Sequence, residues 1–311
     1  MTKNITVVIP LYNKRSTIRR SVMSVIDQIC DGDKLVVVDD GSTDGSREEI
    51  KDLIGSELVL LSQDNQGVSA ARNRGVEYAT TEHVAFLDAD DYWLPGALSQ
   101  IKSLITDFPD CVIYSLGHIR VEPGKVVDTL SRKKIVGSLA SDGLIFIKRY
   151  AREQLINSST SCVKKKYLNN VGGFPVGARS GEDIYVWLRM ALSGRAAYNP
   201  TPLVVVERDP PHCQPERDVV PFHYKWFANK DNLNSLSTCS KVAVRKFFFF
   251  RGINQCLGDI AAGRRAGAFK KALWCAKINP LFHFVIPVVI LLPGSLLNLI
   301  SHIDSVRRAR L

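Results

Sequence analysis

Between residues 86 and 91 an apolar run ends in three carboxylates, FLDADD. Asp88 and Asp90 form a D-x-D arrangement, and Asp91 follows directly. Hard divalent cations such as Mg2+ and Mn2+ prefer oxygen ligands. Mg2+ characteristically takes one or two protein carboxylates and leaves its other positions to phosphate and water. Acids delivered by a strand end therefore suit a metal–diphosphate, and three of them this close would repel one another without a cation. Taken alone, the same residues also fit a solvated acidic turn that caps the next helix.

A second cluster, VVVDDGSTDGS (36–46), places Asp39 and Asp40 directly after an apolar run. Two acids there can accept hydrogen bonds from a base or a ribose. Gly41 permits a tight turn, and the N-terminus of a following helix favours anionic groups. An ordinary strand–turn–helix junction reads the same way. The chain has neither G-x-G-x-x-G nor G-x-x-x-x-G-K-[ST], so the dinucleotide and P-loop readings lose support.

The elements that must hold these groups alternate. ITVVIP (5–10), KLVVVDD (34–40), ELVLLS (57–62), HVAFLDADD (83–91) and CVIYSL (111–116) read as strands. Helical patterns lie between them, near 16–29, 42–54, 67–79 and 95–108. Such alternation predicts an α/β fold, a mostly parallel sheet flanked by helices, with ligands outside the carboxyl ends of the strands. Tyr12-Asn13, Asp39-Asp40 and Asp88-Ala89-Asp90 all fall at those ends. The middle of the chain is less regular. It holds Gly172-Gly173-Phe174, the helical GEDIYVWLRMAL (181–192) with acids at its start, and strand character at 203–207. Residues 208–221 are rich in Pro and charge and mark a boundary. The expected division is a catalytic domain over 1–210, nucleotide-binding at 1–116 and acceptor-binding at 117–210, followed by a helical, basic tail over 211–311.

The 311 residues carry a formal charge of +10, all of it in the tail. Residues 241–311 contain 12 Lys/Arg against 2 Asp/Glu, and the first 240 residues are neutral. A basic, apolar tail suggests an acidic surface as partner. Nucleic acid fits poorly, because the aromatics of the tail sit in one run, Phe247 to Phe250. LFHFVIPVVILLPGSLLNLI (281–300) is an uncharged stretch about long enough to span a bilayer, interrupted by Pro287, Pro293 and Gly294. Interfacial docking, a span and a soluble helical subdomain all fit; the basic segments 241–251 and 264–277 favour docking on an anionic membrane. Seven cysteines without metal spacing suit a reducing compartment, and the N-terminus has no apolar signal region, so secretion is not expected.

VVIPLYNK (7–14), VVVDDGSTDGS (36–46), NQGVSAARNRG (65–75), FLDADD (86–91), GGF (172–174) and GEDIYVWLR (181–189) together resemble the ordered motif set of family 2 glycosyltransferases, which have the A-type nucleotide-sugar fold. The resemblance covers about residues 5–190. It implies an inverting transfer of sugar from a nucleotide-sugar, UDP-sugars favoured, assisted by Mn2+ or Mg2+. Pro10, Tyr12 and Asn13 would line the base pocket. Asp40, with Asp39 beside it, would bind base or ribose, and Arg72 would contact the nucleotide. Asp88 would face ribose or metal, and Asp90 would bind the metal. Asp183 would be the catalytic base, with Glu182 shaping its site. Relatives also carry a histidine near the phosphates after the acceptor region, which makes His212 a possible diphosphate contact. The prolines of RDPPHCQ (208–214) depart from that pattern, and a surface-loop histidine is the other reading.

The expected acceptor is a lipid-linked or cell-surface glycan, at the cytoplasmic face of the inner or plasma membrane, with the oligomeric state open. Two rivals stand beside this reading. A nucleotidyltransferase would carry a Gly-rich loop after the first strand, and IPLYNKRST (9–17) has no glycine. An inactive nucleotide-binding scaffold has no need of Asp90 and Asp183.

Overall fold

The computed structural model describes residues 3–122, 125–128, 137–207, 220–261 and 263–291. Two compact units divide the chain, residues 1–215 and 216–311.

The first unit runs β1 (Ile5–Leu11), α1 (Ile18–Ile26), β2 (Lys34–Asp39), a 3-10 helix (Glu48–Leu53), β3 (Leu58–Ser62), α2 (Val68–Tyr78), β4 (His83–Phe86), β5 (Tyr92–Trp93) and α3 (Ala97–Asp107). It continues with β6 (Cys111–Glu122), β7 (Lys125–Asp128), β8 (Leu139–Ser141), α4 (Gly143–Tyr150), a 3-10 turn (Ser158–Thr160), β9 (Ser161–Lys164), α5 (Lys165–Asn170), α6 (Glu182–Ala191) and β10 (Arg195–Glu207). Ten strands form one sheet in the order β3-β2-β1-β4-β9-β6-β10-β5, with β7 on β6 and β8 on β10. The half β3-β2-β1-β4 is parallel. Its strands are apolar on both faces because helices cover both sides, and β1 is buried at every position. The short β9 runs antiparallel between β4 and β6.

The expected α/β sheet flanked by helices is the fold found. The helix expected over 42–54 is instead a 3-10 helix confined to Glu48–Leu53. Asp44 explains the shortening: its carboxylate accepts from the backbone N–H of Ser46 and of Arg15, and Gly45 takes φ +85°. A side chain that captures nearby backbone donors offers the chain an alternative to helix. β6 and β10 extend further than the sequence suggests. Pro200 and Pro202 fall within β10, whose register on β6 shifts on either side of Pro202, as prolines in sheets require.

Gly75 fixes how closely α2 approaches the sheet. A Cβ at this position would lie inside the van der Waals envelope of the Val8 side chain on β1. That contact brings the preceding turn of α2, with Arg72, against the strand ends.

The second unit is helical: α7 (Phe222–Ala228), α8 (Lys230–Asn234), α9 (Thr238–Ala261), α10 (Arg265–Ile278), a 3-10 helix (Pro280–Phe284) and α11 (Ile286–Leu291). Its core is aromatic. Phe247 and Phe248 of the four-phenylalanine run are fully buried with Phe227 and Phe282, so half of that run points inward. Among the described residues no helix is long and apolar enough to cross a membrane. The apolar stretch 281–300 is described only to Leu291, where it forms the 3-10 helix and α11.

Two predictions follow from the packing of β1, α2 and β4. An open mid-helix Gly→Ala exchange gains about 1 kcal/mol, whereas overpacking a tight core costs about 1–3 kcal/mol. Gly75→Ala is therefore expected to lower the urea midpoint; a raised midpoint would mean that α2 lifts from β1 at little cost. His83, buried on β4 beside the Tyr114 ring, has no hydrogen-bond partner for Nε2 among the described residues. Burial holds its imidazole down to about 4 from an ordinary 6.5. Between those values the unfolded chain binds the additional proton. The stability that neutral His83 contributes is thus complete above pH 6.5 and lost as pH falls toward 4. Urea titrations across this window should show a slope on the order of 1 kcal/mol per pH unit that His83→Phe lacks; equal slopes in the two proteins would contradict it.

Candidate active site

The ends of β1, β2 and β4 and the N-terminus of α2 surround a cleft of about 320 Å³, lined by Pro10, Tyr12, Lys14, Asp40, Arg72, Asp88 and Asp90 among others. Tyr12 is 47% exposed at its mouth. These are residues that the sequence singled out, with Lys14 in addition.

Three of the expected contacts are engaged in holding loops. Asp39 turns back to accept from the N–H of Ser42, 3.0 Å away. Asn13, at φ +49°, accepts from the N–H of Thr43 at 2.8 Å and donates its own N–H to the Ser42 hydroxyl oxygen, tying the loop after β1 to the loop after β2. Asp40 reaches the cleft wall, yet its carboxylate accepts from the Gln63 amide and from the N–H groups of Gln66 and Gly67, all within 2.9 Å. It anchors the chain that enters α2. Gly41, at φ +78°, has backbone of Asn65 only 3.0 Å from where a Cβ would stand, so the turn needs glycine.

The three acids of the FLDADD run separate by role. Asp88 and Asp90 face the cleft, about one-third exposed at their side chains. Asp91 turns inward: it accepts from the Ser159 hydroxyl and, at 2.9 Å, from the N–H of Glu207. Burial, then the charges of Asp88 and Asp90, push its carboxyl well above the usual carboxylate range. The loop is clamped through its carbonyls. Thr17 and Ser21 donate to Ala89, Ser21 also to Asp91, and Arg20 to Asp90. The Ser159 oxygen also accepts from the N–H of Asp88 at 3.1 Å, so one side chain fixes two positions of the loop.

Arg72 joins this loop to α6. Its guanidinium donates to Asp88 at 2.7 Å and to Glu182 at 3.1 Å, and it lies over the Phe174 ring at 5.2 Å. Burial disfavours its charge, but Asp88, Glu182 and Asp183 outweigh burial and hold the guanidinium above its ordinary value. Glu182 is pushed up by burial and by Asp183, against the pull of Arg72. Asp183 follows in the first turn of α6, which Gly181 opens at φ +75°; its carboxylate accepts from the N–H of Ile184. Arg72, expected as a nucleotide contact, ties the Asp88 end of the cleft to the helix of Glu182 and Asp183. His212 lies outside the described residues.

The neighbouring motifs lock the same assembly. Asn73 makes two hydrogen bonds to the backbone of Phe174, at 2.7 and 2.8 Å. The Phe174 ring packs edge-on against Phe86 of β4 and Trp187 of α6, at 5.2 and 5.8 Å. Asn73, Ser159 and Lys14 were not anticipated from sequence. Lys14 donates to Asp90 at 2.7 Å and its N–H to Ser46 at 2.8 Å. Its place in VVIPLYNK was the available signal; Ser159 lies in no motif.

Asp88 and Asp90 supply hard oxygen donors of the kind Mg2+ or Mn2+ takes, and each is also ion-paired, with Arg72 and Lys14 respectively, at 2.7 Å. Among the described residues no three or more His, Cys, Asp or Glu converge as a metal cluster.

The chain is 27% identical over 185 residues to UDP-Glc:alpha-D-GlcNAc-diphosphoundecaprenol beta-1,3-glucosyltransferase WfgD of Escherichia coli, covering 59% of this chain and 68% of that protein. It is 43% identical over 105 residues to the uncharacterized glycosyltransferase YibD of Escherichia coli (strain K12), 33% of this chain and only 30% of that protein. Residues 1–349 of S. aureus TarS in complex with UDP-GlcNAc share its fold, with a TM-score of 0.69 at 16% identity over 90% of this chain and 82% of that one. Residues 6–161, half of the chain, match the family Glycosyl transferase family 2, and the protein belongs to the family 2 glycosyltransferases.

Proposed function

We propose that this glycosyltransferase moves a sugar from a UDP-sugar to a hydroxyl of a lipid-linked or cell-surface glycan, with inversion at the anomeric carbon. In this reading it works at the cytoplasmic face of the inner or plasma membrane. The observation that carries the chemistry is the Arg72 bridge, which puts the cleft-facing Asp88 and the first turn of α6 within reach of one guanidinium. A donor-binding wall and a carboxylate base are then held by a single buried cation. The choice of donor draws on WfgD, named for UDP-Glc, and on TarS, solved with UDP-GlcNAc and with UDP. The lipid-linked acceptor draws on the diphosphoundecaprenol in the name of WfgD.

Tyr12 and Pro10 flank the base of the donor, and Asp40 keeps the loop before α2 in place beneath it. Lys14, which lines the same cleft and is paired with Asp90, would meet the diphosphate there. Asp183 accepts the proton of the acceptor hydroxyl as that oxygen bonds to the anomeric carbon, and the bond from that carbon to the diphosphate oxygen breaks. Mg2+ or Mn2+ on Asp90 and Asp88 would neutralise the departing diphosphate as a Lewis acid. Glu182, held by Arg72, keeps the base helix in position.

Thermal unfolding with UDP-, GDP-, dTDP- and CMP-sugars, with and without Mn2+, tests this reading. A donor at about a hundredfold its dissociation constant adds roughly 2.7 kcal/mol to the folded state. A metal-dependent rise in Tm with UDP-sugars alone is expected, and Asp90→Ala should abolish it. Asp183→Asn should keep the rise and lose transfer by at least about a hundredfold. No rise with any nucleotide would sink the donor assignment; full transfer by Asp183→Asn would sink the base.

A further inference from the structure

Among its described residues, the second unit has an apolar outer surface that none of them covers. Its interior takes Phe247, Phe248 and Phe282, together with Ala272 and Cys275. Other large apolar side chains of the same consecutive elements point outward. Phe269 and Leu273 are about two-fifths exposed on α10, Leu281 is 61% and Phe284 79% exposed on the 3-10 helix, and Leu291 is 77% exposed at the end of α11. Phe269, Leu273 and Lys277 recur at four-residue spacing and so share one face of α10. Exposed apolar groups in this number within two dozen residues mark an interaction surface.

The charge around them has one sign. Between Lys241 and Leu291 the sequence has a single acid, Asp259, against nine Lys and Arg. Asp259 is buried and enclosed by Arg264, at 2.9 Å, and by Lys271. Its charge is thereby cancelled inside the unit. Lys270 and Lys277 remain exposed beside the apolar groups, and the Lys277 ammonium lies 4.2 Å from the centre of the Trp274 ring. That ammonium over an aromatic face is a cation–π contact, and it places a cation and an amphipathic ring together among the apolar groups.

We propose that the exposed faces of α10, the following 3-10 helix and α11 dock on an anionic lipid surface. Phe269, Leu273, Leu281 and Phe284 enter the boundary between headgroups and acyl chains, while Lys270 and Lys277 meet lipid phosphates. The charge decides between occupants. A second copy meeting this face with the same face would bring like charges together, since a twofold contact is self-complementary only for patches that attract themselves. An anionic bilayer matches both the apolar groups and the sign of the charge. The assignment deepens the membrane location offered above and rests on no part of the transfer chemistry.

Cosedimentation of the full chain with phosphatidylcholine vesicles, with and without phosphatidylglycerol, tests it. Two variants accompany the wild type: Leu281→Ser with Phe284→Ser, and Lys270→Glu with Lys277→Glu. All four side chains are exposed, so both variants should keep the wild-type Tm and the donor-induced rise in Tm, which reads the first unit separately. Binding to the anionic vesicles is expected, weakened roughly tenfold or more in either variant and by high salt. If the apolar variant fails to fold, the lysine variant decides alone. Equal binding to neutral vesicles, absence of binding, or variants that sediment as the wild type does would overturn the proposal. So would light scattering that shows a wild-type oligomer dissolved by Leu281→Ser with Phe284→Ser, which would give the surface to a second copy.

Discussion

A buried cation between two carboxylates is the constraint on which the catalytic unit depends. The Arg72 side chain is almost wholly enclosed, and a guanidinium taken out of water is tolerated only when its donors are matched by fixed acceptors. Asp88 and Glu182 provide them from opposite sides, one at the end of a strand and the other at the start of a helix. The dependence is mutual. Glu182 is itself largely enclosed, 13% exposed at its side chain, and adjoins Asp183, so without Arg72 two acids would crowd one turn of helix. Loss of one partner from a fully buried pair costs about 3–5 kcal/mol, and less where a partner reaches water, as Asp88 does. The end of β4 and the start of α6 are thus registered to one side chain.

The packing around Arg72 keeps it from moving. Gly75 lets α2 settle on Val8, and Asn73 fastens the Phe174 turn to the same helix. The Phe174 ring then fills the space between Phe86, on the strand that leads into Asp88, and Trp187, on the helix that begins with Glu182. Two motifs about a hundred residues apart, AARNRG and GGF, are in this sense one structural device. Gly173 belongs to it as well: at φ +68°, a Cβ there would stand 2.8 Å from the Asn73 carbonyl oxygen.

What the sequence made legible follows from the range of each interaction. Alternating apolar runs and helical patterns are local, so the parallel half of the sheet and the acids at its strand ends could be read directly. The Asp44 turn is also local, but it competes with helix through one side chain, and periodicity does not weigh that competition. Asp39 and Asn13 show the limit of reading a residue by its position. They sit at strand ends as expected, yet both hydrogen-bond to the loop after β2. Pairings such as Arg72 with Glu182, or Ser159 with Asp91, leave no local trace, since the partners are 110 and 68 residues apart. In the tail, hydropathy marked the four phenylalanines alike, and only packing separates the two that face inward.

The reversed strands β9 and β5, set among otherwise parallel neighbours, explain why Ser159 could not have been found by motif and why it is there. In a purely parallel sheet, every turn that precedes a strand lies at the end opposite the strand carboxyl ends. β9 runs the other way: Ala85 pairs with Cys162 and His83 with Lys164. The turn at Ser158–Thr160 that leads into β9 therefore emerges beyond Phe86, beside the loop of Asp88 to Asp91. β5 is likewise antiparallel to β10, with Tyr92 opposite Val205, which carries the N–H of Glu207 to the Asp91 carboxylate. Reversing strand direction on that side of β4 thus delivers backbone and hydroxyl donors to an acidic loop that helix N-termini alone do not reach. With those donors in place Asp91 can be buried, and the loop it anchors presents Asp88 and Asp90 to the cleft.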